Sequence, residues 1–240
     1  MEMTVIIPTY NRKNVLRHVI LSLINQGVSS YELVICDDGS DDGTDDMVTS
    51  LQDQFKLPFE IRHFWQEKKG FRPAAARNMG IDNARGKKIV FVDQDVIVEP
   101  NTLKKFINVP ANHFWSGSKR LVSIEFYTEK VNDDVILNNF SEVFRSQVFG
   151  TIPATLSSFG VINKVDIDRV GGFDEDFTDW GLEDTELIDR LHDIRVSNSV
   201  EPTCFSFHIE HDGHGGLSRK IQDTYHHKRN NRRGDGQIVH

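Results

Sequence analysis

Lys87-Lys88-Ile89-Val90-Phe91-Val92-Asp93-Gln94-Asp95 is an apolar run, most of it β-branched, with charge on both sides. Such a run predicts a short strand buried on both faces of a mostly parallel sheet. Its C-terminal tip then carries Asp93 and Asp95, and in open α/β sheets that edge borders the ligand crevice. Two acids flanking one residue can grip a hard divalent cation through oxygen and leave positions for phosphate oxygens. Alone, the same pair can be two solvated acids closing a strand, so the reading turns on what surrounds it.

Upstream, Val5-Ile6-Ile7 is a short apolar run ended by Pro8, and Leu33-Val34-Ile35-Cys36 is a second, followed by Asp37-Asp38-Gly39-Ser40. Between them Val15, Leu16, Val19, Ile20, Leu23 and Ile24 recur at the spacing of an amphipathic helix. A helix capped by Thr44 is expected to about Phe55, a third strand over 59–64, and a helix opened by Pro73 through Met79. Strands alternating with helices in this way imply right-handed βαβ units, hence a doubly wound α/β sheet with helices on both faces. No Gly-x-Gly-x-x-Gly follows the first strand and no Gly-Lys-Thr/Ser occurs, which disfavours a dinucleotide enzyme and a P-loop phosphotransferase.

Downstream, the pattern predicts a helix over 101–107, a strand over 121–126, and a helix with a mobile loop over 131–148. A strand over 159–163, a short helix over 164–170, a helix opened by Trp180-Gly181-Leu182-Glu183-Asp184 and a last strand over 204–207 follow. A chain of 240 residues with 38% hydrophobic content suits one large domain. We divide it into a half with a nucleotide-binding type of sheet (1–99), a less regular second half (100–218) and a basic tail (219–240). The net charge of -8 argues against a general nucleic-acid binder. Cys36 and Cys204 sit in apolar surroundings and read as buried thiols, which fits a reducing, cytoplasmic setting. The N-terminus enters a strand without a leader-like segment, and no apolar run approaches the length of a spanning helix. The tail carries six Lys/Arg and two His against one acid over 219–233; its cations suit peripheral membrane contact, with Arg219 and Lys220 foremost and the far end disordered.

Three stretches in order, Val5-Ile6-Ile7-Pro8-Thr9-Tyr10-Asn11-Arg12, Asp37-Asp38-Gly39-Ser40-Asp41-Asp42-Gly43-Thr44 and Asp93-Gln94-Asp95, resemble landmarks of the inverting glycosyltransferases of family 2, which have the GT-A fold. Gly171-Gly172-Phe173-Asp174-Glu175-Asp176-Phe177 through Asp184 resembles a segment shared by β-galactosyltransferases and chondroitin-polymerase-type enzymes, and Gly70-Phe71-Arg72 with Ala76-Arg77-Asn78 is similar to the latter. The likeness extends to about residue 212.

The resemblance implies a UDP-sugar donor, a Mn²⁺ or Mg²⁺ cofactor and a glycan, lipid-linked or other hydroxyl acceptor. Pro8, Thr9, Tyr10 and Arg12 would meet the nucleotide, and one of Asp37 and Asp38 would cap its turn while Asp38 reads the uracil edge. Arg72 and Arg77 would reach the nucleotide or the diphosphate, and Asp93 and Gln94 the ribose or sugar. Asp95 would bind the metal, completed by His208 or, alternatively, His211. Asp184 would be the catalytic base, Glu183 its alternative or an orienter of the acceptor, and Trp180 with Gly181 a floor for a sugar ring. Two competing readings remain open: a nucleotidyltransferase making a nucleotide-sugar, and a GT-A protein that binds carbohydrate without turnover.

Overall fold

The computed structural model describes residues 1–210 and 218–235. β1 (Met3–Thr9), β2 (Tyr31–Asp37), β3 (Glu60–Trp65) and β4 (Lys88–Val92) are parallel and lie in the order β3-β2-β1-β4. They alternate with α1 (Lys13–Ser22), α2 (Thr44–Gln54) and α3 (Pro73–Asn83). The two-residue period of the strands decides which helix covers which face. Val5, Ile7, Leu33, Ile35, Val90 and Val92 pack with Leu16, Val19 and Ile20 of α1 and Leu51 of α2. Ile6, Val34, Cys36, Ile89 and Phe91 pack on the other side with Ala74, Ala76 and Ile81 of α3. Both faces are thus apolar and covered, as the unbroken Ile89–Val92 run requires.

The remaining elements are β5 (Val96–Val98), α4 (Thr102–Phe106), β6 (His113–Val122), α5 (Ile124–Lys130), a π-helical turn (Val135–Asn139) and α6 (Phe140–Arg145). After these come β7 (Gly150–Pro153), α7 (Leu156–Phe159), β8 (Gly160–Asn163), α8 (Lys164–Arg169), α9 (Glu183–Asp193), β9 (Ser197–Ile209) and α10 (Arg219–Asp235). β8 runs antiparallel to β4 and to β6, and β9 lies parallel to β6, so one sheet continues as β4-β8-β6-β9-β5 with β7 beside β6. This is a mixed, doubly wound sheet, a single domain with helices on both faces.

Two expectations need correction. The strand placed over 121–126 ends at Val122, because Ser123 accepts the amide of Phe126 on its hydroxyl and starts α5. Residues 219–235 are helical rather than a loose tail, and Ile221 and Tyr225 close a small core with Phe177 and Leu182; 236–240, the far end expected to be disordered, lie outside the described residues. Charge completes that contact, since Lys228 pairs with Asp174 at 2.7 Å and Asp176 at 2.5 Å, and Arg232 pairs with the buried Glu186 and with Asp189. Cys36 and Cys204 are free and buried. Among the described residues no helix is long and apolar enough to cross a membrane.

Candidate active site

The C-terminal tips of β1, β2 and β4 converge. Gln94 joins two of them, because its amide oxygen accepts the Thr9 hydroxyl at 2.7 Å and the Tyr10 amide at 2.9 Å. Asp37 and Asp38 divide their work. Asp37 is buried, caps the turn through the Ser40 amide at 2.7 Å, and binds His63 Nε2 at 3.1 Å. Burial raises its carboxyl, but the hydrogen bonds from His63 and Ser40 outweigh that and hold it below the ordinary value. The bond to Asp37 in turn raises His63, against its burial. Asp38 accepts from Gln66 and Arg72, both at 2.7 Å, and from Lys68 at 3.1 Å. A carboxylate has capacity for about four such bonds, so one position stays available. Lys68 also lies 3.5 Å from the centre of the Tyr10 ring, which is 40% exposed.

Arg72 and Arg77, five apart in sequence, have different partners. Arg72 precedes α3 and turns to Asp38, whereas Arg77 is buried inside the helix and joins Asp93 at 2.9 Å to Glu183 at 3.3 Å. It thereby bridges the two halves of the chain. Burial pushes the Asp93 and Glu183 carboxyls up, Arg77 pulls both down, and their acidic neighbours Asp95 and Asp184 add to the rise. Lys119 of β6 adds a further positive charge near Asp93.

Asp95 follows the β4 tip and lies 3.7 Å, Oδ1 to Nε2, from His208 on β9; Arg12 stands 4.0 Å from its other oxygen. An octahedral Mn²⁺ or Mg²⁺ holds neighbouring ligands about 90° apart, so an oxygen and a nitrogen about 2.1–2.2 Å from it stand about 3.0 Å from each other. Asp95 and His208 have the donor types for such an ion and would close by roughly 0.7 Å to share it. Among the described residues no group of three or more His, Cys, Asp or Glu is placed to hold an ion. His211, the alternative ligand, lies outside the described residues.

α9 starts on a strained turn. Gly181 has φ +98° and Leu182 φ +67°, a left-handed conformation costly for leucine and held here by its packing against Phe177, Ile221 and Tyr225. The turn delivers Glu183 and Asp184 side by side. Asp184 accepts the Ser157 hydroxyl at 2.7 Å and the Ser157 amide at 3.1 Å. Trp180, just before the turn, is 43% exposed. Gln66, Lys68, Lys119 and Ser157 join the site only through partners distant in sequence, Asp38 for the first two, Asp93 for Lys119 and Asp184 for Ser157, so their own neighbours in the chain do not mark them.

The sequence model described as glycosyl transferase family 2 matches residues 4–114, and one described as the N-terminal domain of galactosyltransferase matches residues 152–212. Validoxylamine A glucosyltransferase of Streptomyces hygroscopicus subsp. jinggangensis is 30% identical over 241 residues, covering 88% of this chain and 56% of that protein. Chondroitin synthase of Escherichia coli is 26% identical over 223 residues, covering 79% of this chain and 32% of that one. The chain thus spans about half, or less, of the length of the curated relatives it matches. Among solved structures, S. aureus TarS 1-349 with UDP-GlcNAc superposes with a TM-score of 0.65 at 19% identity, over 95% of this chain and 66% of that one. The mannosyltransferase PcManGT from Pyrobaculum calidifontis, with GDP-Man and Mn²⁺, gives 0.60 at 20% identity over 90% and 58%. These structures share the GT-A fold. With both sequence models matched in order along that fold, the chain belongs to glycosyl transferase family 2 and carries a galactosyltransferase-type segment in its second half.

Proposed function

We propose that the chain is a metal-dependent, inverting glycosyltransferase that moves a hexose or N-acetylhexosamine from a UDP-sugar to a hydroxyl of a glycan or lipid-linked acceptor. The observation that carries this reading is the meeting of the Asp95–His208 pair, a carboxylate and an imidazole 3.7 Å apart, with the Arg77-linked acids Asp93, Glu183 and Asp184 at one sheet edge. Tyr10 offers a ring face to the base, and Asp38, oriented by Gln66, Arg72 and Lys68, accepts the uracil N3 hydrogen. Arg12, Arg77 and Lys119 give the donor's diphosphate and sugar a positive surround. A bound Mn²⁺ or Mg²⁺ at Asp95 and His208 would act as a Lewis acid on the diphosphate leaving group.

Asp184 takes the proton of the acceptor hydroxyl as that oxygen attacks the anomeric carbon. The new C1–O bond forms as the bond to the diphosphate oxygen breaks, and its electron pair leaves with UDP. One displacement inverts the centre, so an α-linked donor gives a β-linked product. Glu183, held by Arg77, orients the acceptor, and Trp180 with Gly181 supports its ring. The galactosyltransferase-type segment favours galactose or N-acetylgalactosamine. Exposed Arg219 and Lys220 suit peripheral contact with an anionic surface, and the two buried thiols suit a reducing compartment such as the cytoplasm.

The test is UDP release from a panel of UDP-sugars with Mn²⁺ and mixed glycan acceptors. The wild type should release UDP, and Asp184→Asn should lose at least about 100-fold in rate while binding UDP normally. Release of pyrophosphate would instead establish a nucleotidyltransferase, and sugar binding without turnover a carbohydrate-binding protein.

A further inference from the structure

α7 is four residues long, yet it touches both halves of the site. Its Ser157 hydroxyl and amide both donate to the Asp184 carboxylate, at 2.7 and 3.1 Å, one to each oxygen. Its Ser158 carbonyl accepts the backbone amide of Asp93 at 3.1 Å, at the tip of β4. The turn is itself fixed. Thr155 and Ser158 form a reciprocal capping box, and a Cβ on Gly160 would lie 2.8 Å from the carbonyls of Leu156 and Trp115, so the chain leaves α7 clamped between two backbones. Ser157 is 1% exposed and Ser158 5%.

From this geometry we infer that Ser157 is a positioning residue for the catalytic base. The inference rests on the proposed role of Asp184. A lone aspartate at the first turn of α9 can rotate about χ1 and χ2, and each rotation moves the oxygen that must meet the acceptor hydroxyl. Two donors from one buried residue, acting on the two oxygens, stop both rotations. Because the same turn holds the Asp93 amide, the base is referenced to the strand tip that carries the donor site. A base offset by about 1 Å forfeits roughly 100-fold in rate, while ground-state binding of the donor does not depend on it. Both hydrogen bonds leave carboxylate lone pairs available, so the proton taken from the acceptor still has a site on Asp184.

The experiment compares the full-length wild type, Ser157→Ala, Ser157→Cys, Asp184→Asn and the Ser157→Ala/Asp184→Asn double variant. It measures UDP release from UDP-glucose, UDP-galactose, UDP-GlcNAc and UDP-GalNAc with Mn²⁺, with UDP affinity and Tm determined in parallel. Ser157→Ala and Ser157→Cys should lower kcat about 10- to 100-fold, with donor KM and UDP affinity within about twofold. In the Asp184→Asn background, Ser157→Ala should cost less than about twofold, because the group it positions is gone. A purely structural serine would lower Tm and slow both backgrounds alike, and that result overturns the proposal. If Asp184→Asn is impaired while both Ser157 variants keep wild-type kcat, the positioning role falls and the base assignment stands. If Asp184→Asn turns over normally, or the wild type releases no UDP from any donor, the base assignment falls and the positioning role with it.

Discussion

Replacing Arg77 with methionine should expose the electrostatic design of the site. Arg77 has 7% side-chain exposure and pairs with Asp93 and Glu183, whose side chains are 26% and 11% exposed. Methionine keeps most of the volume and the contact with Phe173, so the change isolates charge. Removing one partner of a buried ion pair costs about 3–5 kcal/mol; the quarter exposure of Asp93 puts this case near about 3 kcal/mol at pH 8. For a domain of this length that is a fall in Tm of about 6–12 °C. The sign with pH follows from the acids left behind. Burial already holds both carboxyls above their ordinary values, and loss of Arg77 raises them further. A carboxyl whose folded pKa exceeds its unfolded one binds more protons when folded, so the variant loses stability as pH rises through that range. The deficit should be largest at pH 8 and clearly smaller at pH 5. Thermal melts of wild type and variant with EDTA at the two pH values measure it. A deficit below about 1 kcal/mol, or one equal at both pH values, would refute the assignment of Arg77 as the counter-charge of two buried acids.

The nucleotide-side turn should respond in the opposite sense to removal of His63. Its raised pKa means that its stabilising charge is fully present below about 6.5 and is lost as pH climbs through the folded value; the Tm gap between wild type and His63→Gln should therefore be wide at pH 6 and narrow by pH 9, whereas a constant gap would assign His63 a packing role only. Gly80→Ala tests how closely α3 rides on the sheet. Its new Cβ would stand 2.5 Å from Ile6 Cγ2 and 2.8 Å from Cys36 Sγ, so urea unfolding should show a loss of about 1–3 kcal/mol, and an unchanged midpoint would place the helix higher.

Much of the first half was legible because β1, β2 and β4 are buried on both faces, which leaves unbroken apolar runs, and α1 keeps an apolar stripe. Ile89–Val92 and the Val15–Ile24 stripe are the clearest cases. β6 was misplaced because it mixes His113, Ser116, Gly117, Lys119 and Arg120 among its apolar residues, and the apparent alternation after Leu121 belongs to a strand end running into a capped helix. α10 is held by Ile221, Tyr225 and ion pairs to α9 and the 174–176 turn, so little apolar periodicity marks it and its cations read as a solvated tail. At the site, the acids stood out because carboxylates at strand tips are chemically conspicuous. Ser157 did not: a serine in Ala-Thr-Leu-Ser-Ser matters only through a partner 27 residues away.

The account depends most on Asp95 and His208 sharing a cation that tethers the donor. Calorimetric titration of UDP into the wild type and Asp95→Ala, each with Mn²⁺ and with EDTA, tests this directly. Mn²⁺ should tighten UDP binding at least about tenfold in the wild type and leave Asp95→Ala unaffected; equal affinity with and without Mn²⁺ in the wild type, or full Mn²⁺-dependent tightening in Asp95→Ala, would contradict the account.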